Sequence, residues 1–333
     1  DDNIAVYVQE QGATVGKQGE VLTIRQGRDI IQQVRMLEIS QLSLYGNVQI
    51  TAQALRELLD RGIPVCHLSY GGWFSGITQG MTHKNVQLRQ SQFGVASDTD
   101  KSLELARDFV FGKIKNCRTL LRRNHIDAPQ QTLFALSKLA QDSRVAKDVQ
   151  TLIGIEGAAA RAYFSQFEGM LKGQYGQYFD FNNRNRRPPT DEVNALLSML
   201  YSLLAKDFGV ILMAVGFDPY LGFFHRPRYG RPALALDLME EFRPLVGDSV
   251  VLTLINGGEI QKDDFIRQGM AVALTPKGRK KLIIAYERRL DSLVTHPVFG
   301  YSISYRRVFE VQARLLARKI MGEIQSYPVF LTR

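Results

Sequence analysis

The chain has 333 residues, of which 45% are hydrophobic and 23% charged, with a formal net charge of +9. That length holds one large core or, more in keeping with the usual size of a folding unit, two unequal domains, and the composition excludes a disordered, collagen-like or disulfide-stapled polypeptide. Cys66 and Cys117 are the only cysteines. They form no C-x-x-C pair, which leaves no disulfide framework and no cysteine zinc site and fits a reducing cytosol. The opening Asp1-Asp2-Asn3 does not resemble a secretory leader, and no long uninterrupted apolar run occurs, so a cytoplasmic protein without a membrane span is expected. The start without Met also fits a part excised from a longer polypeptide.

From Ile4 to about Gly80 the runs are short and alternating: Ile4-Ala-Val-Tyr-Val8, Val21-Leu-Thr-Ile24, Leu42-Ser-Leu-Tyr45, Val48-Gln-Ile50 and Ile63-Pro-Val-Cys-His-Leu68. Glycines between them, Gly12, Gly16, Gly19, Gly46 and Gly71-Gly72, stand where tight turns need positive φ. One helix interrupts the strands, with Thr51 as its N-cap and Gly62 as its stop. Residues 1–80 therefore read as a small β domain. Tyr45, Tyr70, Trp73 and Phe74, together with open strand edges, offer it a surface for pairing with a second copy, although some of these rings must fill its core.

Residues 81–100 are polar and read as a linker. Beyond them Leu103, Ala106, Phe109, Val110, Ile114 and Cys117 recur at helical spacing, and helical segments continue through 101–333. The fold class is therefore α+β, a small N-terminal β domain followed by a larger, mainly α-helical domain. Residues 1–100 hold 8 Lys/Arg against 10 Asp/Glu, net −2, whereas residues 101–333 hold 34 against 23, net +11. A concentrated positive field of this kind attracts phosphate polymers, and it serves equally as a solvated surface.

Three features of the helical part could carry chemistry. Glu156 lies in Leu152-Ile-Gly-Ile-Glu-Gly-Ala-Ala-Ala160, where its apolar and small neighbours predict a closely packed helix. A bare carboxylate there needs a cation, a metal, a proton or a hydrogen bond to a neighbouring helix end. A helix beginning at Arg231-Pro232 carries Asp237, Glu240 and Glu241 within one turn. The mutual repulsion of these carboxylates is relieved either by a divalent cation or by Arg226, Arg231 and Arg243. His225, in the loop just before, can fold over the same site. Two carboxylates and an imidazole suit Mg²⁺ or Mn²⁺ and leave positions for water and phosphate oxygens.

Gly154-Ile-Glu-Gly-Ala-Ala-Ala-Arg-Ala-Tyr-Phe164, Gly216-Phe-Asp-Pro-Tyr-Leu-Gly-Phe-Phe-His225 and Arg231-Pro-Ala-Leu-Ala-Leu-Asp-Leu-Met-Glu-Glu-Phe-Arg-Pro-Leu245 resemble the three signatures of the CRISPR-associated integrase, the first-numbered family of CRISPR-associated proteins. The likeness runs from Tyr7-Val-Gln-Glu-Gln-Gly12 to Tyr327-Pro-Val-Phe-Leu331. It implies a catalytic divalent metal held by Glu156, His225 and Glu240, with Asp237 and Asn194 beside them. The other histidines, His67, His83, His125 and His296, match no ligand position.

The resemblance further implies an endonuclease and integrase that inserts short foreign DNA fragments into a CRISPR array, by attack of a 3′-hydroxyl on a phosphodiester of the repeat. It implies a homodimer, with the small second-numbered CRISPR-associated protein as a bridge, and fusion to or association with a nuclease or reverse transcriptase domain. No phosphate-loop or nucleophile-elbow motif calls for ATP or a protein nucleophile. Arg184, Arg186, Arg187, Arg226, Arg228 and Arg231 are candidates for holding DNA phosphates, with Lys277, Arg279, Lys280 and Lys281 as a second patch. A free-standing structure-specific nuclease, or a basic scaffold that binds DNA without catalysis, remains open on the sequence.

Overall fold

A computed structural model of the chain describes residues 4–81 and 85–332, so the readings that concern Asp1-Asp2-Asn3 and His83 lie outside the described residues. The chain divides into two compact units, residues 1–83 and 84–333.

In the first unit β1 (Ile4–Val8), β2 (Thr14–Gln18), β3 (Val21–Gln26), β4 (Asp29–Arg35), β5 (Ile39–Tyr45), β6 (Gln49–Ile50), helix α1 (Ala52–Asp60), β7 (Val65–Leu68) and β8 (Phe74–Thr78) follow in order. They form two four-stranded sheets, β1-β5-β7-β8 and β4-β3-β2-β6. The pairs β1–β5, β5–β7 and β2–β6 are parallel, while β2–β3, β3–β4 and β7–β8 are antiparallel. The hairpins β2–β3 and β3–β4 turn through Gly19 and Gly27, at φ +58° and +64°, a conformation that costs residues with a Cβ. Inward-facing Val8, Val15, Leu22, Leu44, Leu58 and Val65 are fully or almost fully buried and form the core of this unit. The hydroxyl of Thr51 caps α1 by accepting from Ala54 N at 3.2 Å. Strand β4 is an edge with one buried side chain, Val34, and it exposes Ile30 and Ile31. Of the aromatics expected on the surface, Tyr70 and Trp73 are exposed and Phe74 is partly so. Tyr45 corrects that expectation, because it faces inward at the end of β5 and is completely buried.

The second unit runs α2 (Val86–Ser97), α3 (Thr99–Asn124), α4 (Gln130–Arg144), α5 (Val149–Phe164), α6 (Gly173–Gly176), α7 (Glu192–Val215), α8 (Ala233–Leu238) and α9 (Ser249–Asn256), then strands β9 (Phe265–Gln268) and β10 (Ala271–Leu274), α10 (Pro276–Asp291), the β11–β12 hairpin (Leu293–Thr295, Ser302–Ser304) and α11 (Tyr305–Ile320). Residues 86–97, expected within a polar linker, form α2. Their helical pattern is hidden because a polar residue, Gln92, faces inward. Its amide donates to the carbonyls of Asp218 and Leu221 at 2.8 and 2.9 Å, and its oxygen accepts from Asp218 N. Asp98 and Asp148 cap α3 and α5 by accepting from backbone N–H groups of the first turn. Helix α7 is long and apolar enough to cross a membrane, but 78% of its apolar window is buried within the protein, where it forms the central core helix.

Between α8 and α9 the helix changes pitch twice, to a 3-10 turn at Met239–Glu241 and a π-helical stretch at Arg243–Asp248. Such departures re-aim side chains and recur at functional sites. Here Phe242 turns inward against Phe208, Phe309 and Phe330, with ring centroids 5.5, 4.8 and 5.3 Å away. The last residues pack onto the same turn. Asn116 donates to the carbonyls of Glu241 and Phe330, both at 2.9 Å. Phe330 N and Gln312 Nε2 donate to the buried Glu241 carboxylate at 3.1 and 3.3 Å.

Burial pushes the Glu241 carboxyl up to about 8, against the lowering effect of Tyr327 and Phe330 N–H. A carboxyl raised above its unfolded value binds its proton more tightly in the folded chain. The stability this contributes is therefore complete below about pH 4.5 and is lost as pH rises toward 8. Glu241→Gln, a neutral mimic, is expected to lie within about 1 kcal/mol of the wild type in urea unfolding at pH 5 and to exceed it by roughly 3–5 kcal/mol at pH 9. Parallel pH profiles for the two proteins would refute this.

Candidate active site

Four segments bring charged side chains together: α3, α5, the loop 216–232 and the 3-10 turn after α8. Two glycines permit the close approach. A Cβ at Gly112 would stand 2.9 Å from Glu241 Cγ, so α3 could not lie against the 3-10 turn. A Cβ at Gly222 would stand 2.8 Å from Asp237 Oδ2, blocking the loop from closing. With Gly222 in place, Asp237 accepts from the backbone N–H of Phe223, Phe224 and His225 at 2.6, 3.0 and 2.8 Å. Its Oδ1 also lies 2.7 Å from His225 Nδ1. An ionised carboxylate only accepts, so His225 donates to it from Nδ1. Its Nε2 points toward Glu240, 3.6 Å from Oε1.

Glu240 is 2% exposed. Burial alone would raise its pKa, but Arg243, Lys113 and His225 outweigh burial and hold the carboxyl at about 2. Arg243 Nε lies 3.2 Å from Oε1, and Lys113 Nζ lies 2.8 Å from Oε2. Neither Oε2 nor Arg243 Nε is aligned for a hydrogen bond, so both contacts are ion pairs by proximity. Lys113 also pairs with Glu156 through a hydrogen bond to Oε1. The side chain of Glu156 is 21% exposed, which corrects the expectation of a closely packed helix around it. Ile153 is exposed, and a Cβ at Gly154 would meet nothing. The small residues of this stretch leave a cleft instead of a core. Lys113, Glu156, Ala159, Ala160, Arg186 and Arg243 line this cleft, together with Tyr163, Tyr201 and Asp248. At its base burial pushes Asp248 up to about 6, while the hydroxyls of Tyr201 and Tyr163 donate to it at 2.5 and 2.7 Å.

Lys113 thus links Glu156 to Glu240, His225 faces Glu240, and Asp237 touches His225 directly. Asn194 does not join them. It accepts from Arg184 Nη1 at 2.7 Å and Asn185 N at 2.9 Å and donates to Asn183 O, which ties down the loop ahead of α7. Among the described residues no three His, Cys, Asp or Glu side chains stand close enough together to hold a metal ion. The donors still suit a hard divalent cation: two carboxylates, an imidazole whose Nε2 faces Glu240, and a buried Glu240 oxygen without a hydrogen bond.

The basic candidates divide. Arg186, Arg187, Arg226, Arg228, Lys277 and Lys280 are exposed. Arg231 is half-buried, and its pKa is lowered by burial and then by Arg228 and Arg243. Arg184 donates to Asn194 and Ser198, and burial draws it down to about 10. It clamps its own loop instead of facing phosphate. Arg279 is 1% exposed because it falls on the inward stripe of α10 with Leu282, Ile283 and Tyr286, so it leaves the surface patch. Lys281 pairs with Asp264 at 2.6 Å. The three described histidines outside the site have local partners: His67 with Thr78 Oγ1, His125 with Asp127 N, and His296 with Gln312 Oε1.

Lys113 escaped the sequence reading. Its signal was present, since it stands four residues after Phe109, three after Val110 and four before Cys117, on the apolar stripe of α3. A lysine on such a stripe needs a buried carboxylate.

The chain is thus a two-sheet unit followed by a helical unit in which Lys113 pairs with Glu156 and Glu240 and His225 faces Glu240. The profile of the CRISPR-associated protein Cas1 family matches residues 6–288, and the chain belongs to that family. It is 49% identical over 99% of its length to a Cas4 exonuclease/Cas1 endonuclease fusion of Geobacter sulfurreducens, of which it spans 60%. A similar fusion from Rhodospirillum rubrum is 44% identical and is spanned to 58%, so the chain covers well under two thirds of these relatives. A Cas1 endonuclease of Thermus thermophilus is 37% identical, with 98% of this chain and 97% of that one aligned. Among solved structures, a Cas1 protein from Thermotoga maritima shares the fold at TM-score 0.84 and 22% identity, covering 97% of this chain and 98% of that one.

Asp237→Asn would put an amide donor in place of one carboxylate oxygen, against two of the four N–H groups that Asp237 accepts from. The loop 222–231 should then loosen, at a cost of about 2 kcal/mol in urea unfolding, and become sensitive to trypsin after Arg228, since Pro227 blocks cleavage after Arg226. Unchanged stability and proteolysis would remove Asp237 as the anchor of His225.

Proposed function

We propose that the protein is a metal-dependent DNA endonuclease and integrase that inserts short foreign DNA fragments into a CRISPR array, working in the cytoplasm. The observation that carries this reading is the convergence of Glu156 and Glu240 on one cationic position, with His225 Nε2 3.6 Å from Glu240. Family membership and the names of the relatives, endonuclease and exonuclease–endonuclease fusion, support it. Glu156, His225 and Glu240 would hold Mg²⁺ or Mn²⁺, which supplies polarisation of the target phosphate and offsets charge on the leaving oxygen. The chain's own residues do the remaining work. Asp237 keeps the His225 proton on Nδ1, Arg243 fixes Glu240, and exposed Arg186, Arg187, Arg226 and Arg228 face the DNA backbone with Arg231 behind them. In the reaction a fragment's 3′-hydroxyl forms the new P–O bond, the 3′-oxygen of the target strand leaves and takes a proton, and no covalent link to the protein is needed.

Glu156→Ala, His225→Ala and Glu240→Ala are each expected to lower the joining of labelled duplex ends to a repeat-bearing plasmid by orders of magnitude with saturating Mn²⁺. The first two should melt close to wild type, while Glu240→Ala, which leaves Lys113 and Arg243 without their buried partner, should melt lower but fold. Joining near the wild-type rate in any one of them would remove that residue from the site. A protein that cuts branched DNA but never joins ends would be a nuclease only.

We infer further that residues 1–80 serve assembly, through the β4 edge with its exposed Ile30 and Ile31. Two strand-joining events at the two ends of a fragment call for paired sites, as a two-fold homodimer provides. The names of relatives and neighbours, a Cas4 fusion and a Cas6–reverse transcriptase–Cas1–Cas2 complex at 25% identity, support action beside a nuclease, a reverse transcriptase or the small second-numbered protein. Light scattering at micromolar concentration should give a dimer mass for the wild type and a monomer mass for Ile30→Glu/Ile31→Glu. A dimer that survives the double substitution would place the interface elsewhere.

A further inference from the structure

We propose that Lys113 is the resident counter-ion of the site, holding Glu156 and Glu240 together until a divalent cation displaces its ammonium into the adjoining cleft. The inference rests on the metal reading above and assigns a role to a residue that reading does not use.

The geometry is specific. Lys113 reaches both carboxylates at once, hydrogen-bonding to Glu156 Oε1 and lying 2.8 Å from Glu240 Oε2, and its side chain is 12% exposed. Glu240 is almost completely buried, so without a cation the two carboxylates would repel one another with little water to screen them. Arg243 reaches Glu240 only, and His225 faces Glu240 only, so Lys113 is the one cation among the described residues that pairs with both.

A divalent ion needs the same oxygens at about 2.1 Å for Mg²⁺, and an ammonium already between them would be repelled by it. Both cannot stay. The long flexible stem of lysine allows it to withdraw where a rigid guanidinium would not. The withdrawal has somewhere to go, because Lys113 lines the cleft with Tyr163, Tyr201 and Asp248. Lys113 therefore keeps the empty site closed and makes metal binding an exchange of one cation for another.

Calorimetric titration of Mn²⁺ into the intact wild-type protein and Lys113→Met tests this. Removal of the competitor should tighten the Mn²⁺ Kd by about tenfold. In a second measurement, amine-directed acetylation of the wild type followed by peptide mass spectrometry should label Lys113 several-fold faster with Mn²⁺ than with EDTA. An unchanged or weaker Kd in Lys113→Met, with the wild type still binding Mn²⁺, overturns the exchange and leaves the metal reading standing. Failure of the wild type itself to bind Mn²⁺ defeats both. Should the substituted protein not fold, labelling decides alone, and equal rates with and without Mn²⁺ reject the proposal.

Discussion

Glu240 carries its charge where only 2% of its surface reaches water, a position that costs several kcal/mol unless cations meet it. Much of the second unit is arranged around meeting it. Lys113 comes from the middle of α3, Arg243 from the π-helical stretch, and His225 from a loop that Asp237 holds in place. Each group is fixed by a separate element, so the site forms only when α3, α5, the loop and the re-pitched helix have all docked. Gly112 leaves room for the Glu241 side chain against α3, and Gly222 lets the loop close onto Ala233 and Asp237.

The two neighbouring glutamates at 240 and 241 illustrate how pitch assigns roles. In a regular helix they would face directions about 100° apart on one cylinder. The 3-10 turn sends Glu240 toward the lysine and arginine and Glu241 toward Gln312, Tyr327 and the closing segment. One carboxyl is held at about 2 and the other at about 8. The difference follows from partners, since both are buried: cations surround the first, and neutral donors surround the second.

The basic residues show the same division. Arg184 and Arg279 carry the same charge as Arg186 and Arg228, yet the first two are built into the interior and the second two face solvent. The net charge of a segment therefore overstates the positive surface available to a phosphate polymer. What remains for that purpose clusters in the loops 186–187 and 226–231, the first of which borders the cleft through Arg186.

The sequence by itself determined the order of a β unit before a helical one, the helix capped by Thr51, and the choice of Glu156, His225 and Glu240 as candidate ligands. These follow from alternation, caps and long motifs, all of which are local. The tertiary structure alone decided the rest. Helix α2 was read as a linker because Gln92 satisfies backbone groups over a hundred residues away, and no local pattern encodes that. Tyr45 and Arg279 turned inward because burial depends on which neighbours cover a face. Lys113 bore a visible mark, a cation on an apolar stripe, but the carboxylates it serves lie 43 and 127 positions along the chain. Pairing across such separations is a property of packing, which periodicity cannot specify.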